Sequence, residues 1–382
     1  MKILHINSYY GTGVFYKHLY DEQVKSGLDI DVYVPVLKSF DCSGRAFGEY
    51  AKVRRVFNQT DRVFFHLKQR KITTDIKSTY DLTKFDLVHA HSLFTNGYVA
   101  MKLNQEFQIP YCVAVRNTDV NLFFKRMIHL RKTGIRILEN ASRVIFLSPA
   151  YRDEVIENIV PVQLRKKIRN KSVVIPNGID PFWIENIGRP KSIEGKKEIR
   201  LLHVGEISKN KNIQTTLRAM NQMNKEESSL SYTLTAVGKI KNKKLLAKLK
   251  TNDHFRYIEP QKKEELIHIY RDHDIFVMPS IHETFGLVYA EAMSQGLPVI
   301  YSRGQGFDGQ FEDGEVGYAV GCYNSEEIVN SINNVVCNYT ILSLKCIEKA
   351  CKFSWDRLVS SYNRIYDAIP RKDITDSENS VY

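Results

Sequence analysis

The 382-residue chain is 43% hydrophobic and 26% charged, and 55 Lys and Arg against 43 Asp and Glu give it a net charge of +12. That balance excludes a disordered, collagenous or disulfide-scaffold protein and suits two or three folded domains at roughly 150 residues each. No apolar run approaches the ~18 residues that a membrane-spanning helix needs.

The opening run Met1–Asn7 is too short for a signal-peptide core and reads as a first strand. Strand-length apolar bursts then recur at Ile3–Ile6, Ile30–Val34, Leu87–Ala90, Tyr111–Val115, Val144–Leu147 and Val173–Ile175, mostly separated by stretches with helical spacing. The alternation predicts βαβ units and a parallel sheet. A cluster of turn formers, Pro176-Asn177-Gly178-Ile179-Asp180-Pro181, and the polar stretch Arg189–Arg200 interrupt it. The pattern restarts at Leu201–Val204, Tyr232–Val237, Phe255–Ile258, Ile275–Met278, Pro298–Tyr301 and Gly317–Val320. Two consecutive sets predict an α/β protein of two Rossmann-like domains, residues 1–178 and 179–354. A last helix over 355–370, with Leu358, Tyr362, Ile365 and Tyr366 at helical spacing, is expected to pack back on the first domain. The polar tail 371–382 is expected to fray.

Charge is divided unevenly. Residues 1–180 hold 28 basic and 17 acidic residues, and the remainder holds 27 and 26. Segment 44–77 alone carries nine basic residues against Glu49, Asp61 and Asp75. Within it, Val53, Val56, Phe57, Phe64 and Leu67 predict an amphipathic helix over 50–68, with Arg54, Arg55, Arg62 and Lys68 largely off the apolar stripe. Such a surface suits either a solvated helix back or an anionic membrane. No nucleic-acid motif accompanies the charge. Six scattered cysteines without a Cys-x-x-Cys pair predict reduced thiols in a cytoplasmic setting.

The densest chemistry lies in the run 279–299, Pro-Ser-Ile-His-Glu-Thr-Phe-Gly-Leu-Val-Tyr-Ala-Glu-Ala-Met-Ser-Gln-Gly-Leu-Pro-Val. Following the strand Ile275–Met278, it places Glu283 in a loop at the strand's carboxyl end, where α/β proteins bind ligands. A helix opening near Thr284 would offer the N–H groups of Thr284, Phe285 and Gly286 to a phosphate. Glu291 lies eight residues on, so two carboxylates are available to accept from the hydroxyls of a sugar-like ligand.

The E-x7-E pair Glu283 and Glu291, the following Ala-Met-x-x-Gly-x-Pro-Val and the Pro-Asn-Gly-Ile-Asp linker together resemble the family-four retaining glycosyltransferases of GT-B fold, over about residues 1–370. The resemblance implies two Rossmann-like domains facing across a cleft. It implies that Glu283 binds hydroxyls of the donor sugar and Glu291 the nucleotide ribose. Around Gly205, the run Leu202–Asn212 resembles the family's Gly-Arg…Lys motif, in which a basic pair meets the donor diphosphate. Lys211 takes the Lys position, but Glu206 stands where Arg is usual, and Lys209 is the candidate second cation. Asn7–Gly13, with Gly11 and Gly13, resembles the Gly-rich loop near the reacting centre, though as a lone Gly-x-Gly it fits a plain tight turn equally. His89 and His91 resemble a strand-end His-x-His. A structural role suits them better than zinc, since no third ligand is visible. Arg116, followed by Asn117, holds the slot where the family usually has His-Gly. It cannot act as a base but suits a phosphate or an acidic sugar, or pairs with Asp119.

The expected activity is therefore retaining transfer of a hexose-type sugar from a nucleotide-diphosphate sugar to a glycan or lipid-linked acceptor, in cell-surface polysaccharide or glycoconjugate synthesis. Glu283, Lys211 and Arg116 are the expected catalytic residues, with His91 and Asn117 on the acceptor side. The resemblance implies no metal and no cofactor beyond the substrate. A cytoplasmic enzyme, peripheral on the inner membrane face through 44–77, completes the expectation. The alternatives are a nucleotide-sugar epimerase and a non-catalytic GT-B partner that binds glycan.

Overall fold

A computed structural model describes residues 1–12, 15–225 and 230–370. The chain forms two compact units. One comprises Met1–Leu147, Tyr151–Ile175 and the segment from Trp355 onward; the other comprises Ser148–Ala150 and Pro176–Ser354. Gly13 and the tail 371–382 lie outside the described residues.

The first unit is built on seven parallel strands: β1 (Lys2–Ile6), β2 (Asp29–Leu37), β3 (Ala51–Phe57), β4 (Leu87–Ala90), β5 (Tyr111–Val115), β6 (Arg143–Phe146) and β7 (Ser172–Val174). Their order is β3-β2-β1-β4-β5-β6-β7. The central strands are covered on both faces, which explains their near-continuous apolar sequences. In register, Leu4 lies beside Val88 and Ile6 beside Ala90, and all four enter one face's core. Ile3, beside Leu87, belongs to the opposite face. There helix Trp355–Asp367 buries Trp355, Leu358, Val359, Tyr362, Ile365 and Tyr366.

The helix expected over 50–68 does not form. Residues Ala51–Phe57 are instead the edge strand β3, paired among the described residues only with β2, and a helix follows over Phe65–Thr79. The apolar residues at 53, 56 and 57 fit either period, and pairing with β2 decides between them. Arg54 then reaches the helix, donating to Asp75 at 3.0 and 2.8 Å, while Lys68 lies 4.4 Å from the Phe57 ring centre.

The second unit has six parallel strands: β8 (Glu198–Val204), β9 (Ser231–Val237), β10 (Phe255–Ile258), β11 (Ile275–Met278), β12 (Val299–Ser302) and β13 (Gly317–Val320), in the order β10-β9-β8-β11-β12-β13. In each sheet the order reverses once, between β1 and β4 and between β8 and β11. Loops leaving the carboxyl ends of such strand pairs frame a crevice. Asp180 starts the unit's first helix, Pro181–Glu185, by accepting from the Phe182 N–H at 3.0 Å, and also pairs with Lys263 at 2.9 Å.

Candidate active site

At the switch point of the second unit, the loops after β8 and β11 meet. Asn210 ties them together: its side chain donates to the His282 carbonyl at 2.9 Å and accepts from the His282 N–H at 3.1 Å. Asn212 adds a bond to the Pro279 carbonyl at 3.0 Å. These clamps bring Lys211 to Glu283, Nζ to Oε2 at 2.6 Å. Both side chains are largely enclosed, 19% and 11% exposed. Enclosure matters because little water remains to screen the pair.

Glu283 is held from several sides. Its N–H donates to Gln305 Oε1 at 3.0 Å, its carbonyl accepts from the Gly306 N–H at 3.2 Å, and Ser280 Oγ lies 3.4 Å from its carboxylate. Gly306 is obligatory by contact: a Cβ there would sit 1.8 Å from the Thr284 carbonyl oxygen. The run Gly304–Asp308, after the strand at 298–301, is expected from the sequence to line the cleft, but nothing in the sequence singles out Ser280, Gln305 or Gly306 within their loops.

The helix opens later than expected, at Leu287, with Gly286 as its cap at φ +78°. Thr284, Phe285 and Gly286 are therefore loop residues, and the Thr284 N–H is taken by Glu283 Oε1 at 3.0 Å. Phe285 points into the core against Phe307 and Phe353. The first turn of the helix, from Leu287, is where backbone N–H groups begin without an intrahelical acceptor, apart from Tyr289, which donates to the Gly286 carbonyl at 2.9 Å. Glu291 projects from the middle of this helix and accepts from the Tyr270 hydroxyl at 3.2 Å. Burial pushes its carboxyl up to about 7.

The departure in the β8 loop resolves simply. Glu206 is half-exposed and pairs with Lys241 at 3.6 Å. The Lys209 side chain is exposed and makes no ion pair among the described residues. Gly205 packs within van der Waals reach of Lys211, a Cβ there lying 3.5 Å from its Cε. Lys211 is thus the cation brought to the carboxylate.

In the first unit, the loops after β1, β4 and β5 carry the remaining candidates. Gly11 sits in a single helical turn, where an added Cβ would meet the Phe40 ring at 2.8 Å. His91 is buried at the end of β4, its Nε2 3.0 Å from His5 Nδ1. Arg116 is 7% exposed; its Nε donates to the His91 carbonyl at 3.1 Å, and its guanidinium lies 5.9 Å from the Tyr16 ring centre. Asp119 spends its carboxylate on the N–H groups of Leu93, Phe94 and Arg116, at 2.9–3.1 Å, and burial still pushes it up to about 6. Asn117 donates to the Tyr151 hydroxyl at 2.9 Å.

A third imidazole does stand beside His89 and His91, contrary to expectation: it is His5, adjacent to His89 on the neighbouring strand. The three still make a poor metal site. The rings of His89 and His91 are stacked, 4.1 Å apart and 24° from parallel. A lone pair lies in its ring plane, so stacked rings cannot both aim at one ion. Burial holds all three well below the usual histidine range, hence neutral.

The sequence matches two families in tandem, Glycosyltransferase Family 4 over residues 9–182 and Glycosyl transferases group 1 over 185–353. The chain belongs to these glycosyltransferases. A D-inositol 3-phosphate glycosyltransferase of Corynebacterium jeikeium is 22% identical over 94% of this chain and 92% of its own length. Among solved structures, sucrose-phosphate synthase from Thermosynechococcus elongatus superposes with a TM-score of 0.74 at 18% identity, covering 96% of this chain and 98% of that one. The Anabaena protein HepE, solved in complex with UDP and glucose, gives 0.65 at 16% identity over 96% and 99%. The fold is GT-B and the enzyme a hexosyltransferase, with the pair Lys211–Glu283 in its group 1 half. No helix among the described residues is long and apolar enough to cross a membrane, and all six cysteines are free thiols.

Proposed function

We propose that the enzyme moves a hexose from a nucleoside diphosphate donor to a glycan or lipid-linked acceptor with retention of anomeric configuration, on the cytoplasmic side and in cell-surface polymer or glycoconjugate assembly. The observation that carries this reading is the enclosed Lys211–Glu283 pair at the switch point, two loops clamped together by Asn210 and Asn212. Similarity to a protein bound to UDP and glucose supports a nucleotide-sugar donor.

Lys211 and Glu283 pair with each other at 2.6 Å. A bound donor separates their tasks. Glu283 accepts from sugar hydroxyls while Lys211, with N–H groups at the start of helix Leu287–Ser294, faces the diphosphate. The bond from C1 to the phosphate oxygen breaks, and the acceptor oxygen bonds to C1 on the same face. Its proton passes to the departing phosphate oxygen. Lys211 stabilises the charge that develops there. Glu291 accepts from the ribose. The diphosphate is held by these groups without a metal. Arg116 stands on the first unit as a fixed cation for phosphate or an acidic sugar.

Donor hydrolysis followed by proton NMR tests this directly. The first-released sugar should carry the donor's own anomeric configuration, and Glu283→Gln should lose most of the release while keeping the fold. Release of the opposite anomer would overturn retention, and near-normal turnover by Glu283→Gln would remove that residue from the site.

A further inference from the structure

Large apolar side chains are exposed at ten described positions, and five of them fall in two short segments of the first unit: Val63 (76%), Phe64 (63%), Leu67, Leu122 and Ile128. The segments are neighbours in space, since Phe65 lies edge-on to Phe123 with ring centres 6.1 Å apart. Both leave carboxyl ends of strands, the first after β3 and the second after β5, so they share the edge that carries Arg116 and Asn117. Asn121, in the second segment, donates to Asn117 Oδ1 at 3.3 Å.

Within the two segments the charge is of one sign, and acidic residues lie only at their borders. Residues 62–74 contain four basic and no acidic residues, and residues 120–138 contain five and none. Lys71 is paired with Asp61 and Lys125 with Glu154. Lys68 is partly buried over Phe57, and burial pushes it down to about 8. Of the remaining six, Arg62, Arg70, Arg126, Lys132 and Arg136 are exposed cations without an ion pair among the described residues, and Arg131 is half-buried and donates to the Phe124 carbonyl at 2.6 Å.

We propose that Val63, Phe64, Leu67, Leu122 and Ile128 form an apolar wedge that enters an anionic phospholipid surface, with Arg62, Arg70, Arg126 and Lys132 on the headgroups, and that the acceptor is lipid-linked and presented at that surface. An apolar tip ringed by cations matches the boundary between acyl chains and phosphate. A protein partner of ordinary polarity would not call for so uniform a charge. The assignment of the acceptor rests on the glycosyltransferase reading; the docking surface stands apart from it. It also replaces the helix expected over 50–68, in which Arg54 and Lys68 were to face the lipid.

The test is flotation of the full chain with vesicles of phosphatidylcholine containing about one third phosphatidylglycerol, against vesicles of phosphatidylcholine alone. The enzyme should float with the anionic vesicles, less so as salt rises to about 0.5 M. Each removed charge should weaken binding about fivefold, so Arg62→Gln/Arg126→Gln/Lys132→Gln should lose on the order of a hundredfold. Phe64→Ser/Ile128→Ser should also detach. These side chains are exposed, so thermal unfolding and nucleotide binding should stay at the unaltered protein's values in every variant. No flotation of the intact chain, equal flotation on neutral vesicles, or undiminished flotation of both variants would each overturn the proposal. So would capture of nucleic acid in place of vesicles. A failed donor reading would show separately, as loss of nucleotide binding by the intact chain.

Discussion

Replacing Lys211 by Met tests whether the pair with Glu283 is an interaction of consequence. The substitution keeps length and volume but leaves the Glu283 carboxylate, 11% exposed, without its cation at 2.6 Å. Breaking a buried pair by removing one partner costs ~3–5 kcal/mol. The residual exposure of both side chains places this case at the low end, about 3 kcal/mol. For a unit of about 150–250 residues that is a fall in Tm of about 6–12 °C. Adding Glu283→Gln removes the stranded charge, so the double variant should recover about 2 kcal/mol of the loss. A non-additivity of that size is typical of residues in direct contact. Turnover should behave differently. It should fall by about 10²–10³ in Lys211→Met, as when one electrostatic stabiliser of a transition state is lost, and stay low in the double variant. Thermal unfolding and donor turnover of the three variants supply both readouts. Strict additivity of the stability losses would refute the coupling, and turnover within a few-fold of normal in Lys211→Met would refute its role at the diphosphate.

Glu291, raised to about 7 against an ordinary carboxyl value of 4.5, makes donor binding pH-dependent. The ribose hydroxyls need the ionised form, so Kd should weaken about tenfold from pH 8 to pH 6, and Glu291→Gln should flatten the profile in a calorimetric titration. For stability the sign is opposite to that of a salt-bridged carboxylate. The folded state holds the proton more tightly than the unfolded, so stability is lost as pH rises from about 4.5 to about 7 and Glu291→Gln should remove that slope. Gly306→Ala, whose methyl would meet the Thr284 carbonyl at 1.8 Å, should displace the Glu283 loop, with a stability loss of about 1–3 kcal/mol and loss of turnover together. Glu206→Gln should leave both turnover and Tm near normal, within about 0.5 kcal/mol, because its one ion pair is exposed.

The parallel sheets were legible because their central strands are buried on both faces, which forces short apolar runs such as Leu87–Ala90 and Ile275–Met278 at regular spacing. Strand β3 was not. An edge strand buries little, and Arg54 and Arg55 in its middle are tolerated because one reaches Asp75 and the other faces solvent. Glu283 could be named from its place after a strand and Glu291 from the eight-residue spacing that follows, whereas Lys211 was named through the resemblance to the family's Gly-Arg…Lys motif. Their supports could not. Asn210 acts through bonds between loops distant in sequence, which nothing local marks, and for Gln305 and Gly306 the run Gly304–Gly306 after a strand marks the segment but not the individual contacts. His5 was hidden for the same reason: only the register of β1 on β4 sets it beside His89. The late helix start at Leu287 follows from Gly286, whose positive φ a helix interior does not accept.

The most direct test of the account is a thermal-shift titration of the intact enzyme with UDP-, GDP-, ADP- and CMP-linked sugars and the free nucleotides, repeated in Glu291→Gln. One base should stabilise the protein, by about 2.7 kcal/mol at 100-fold its dissociation constant, and Glu291→Gln should weaken the response. No shift from any nucleotide would contradict it, and would leave the Lys211–Glu283 pair as a structural ion pair in a glycan-binding relative of the family.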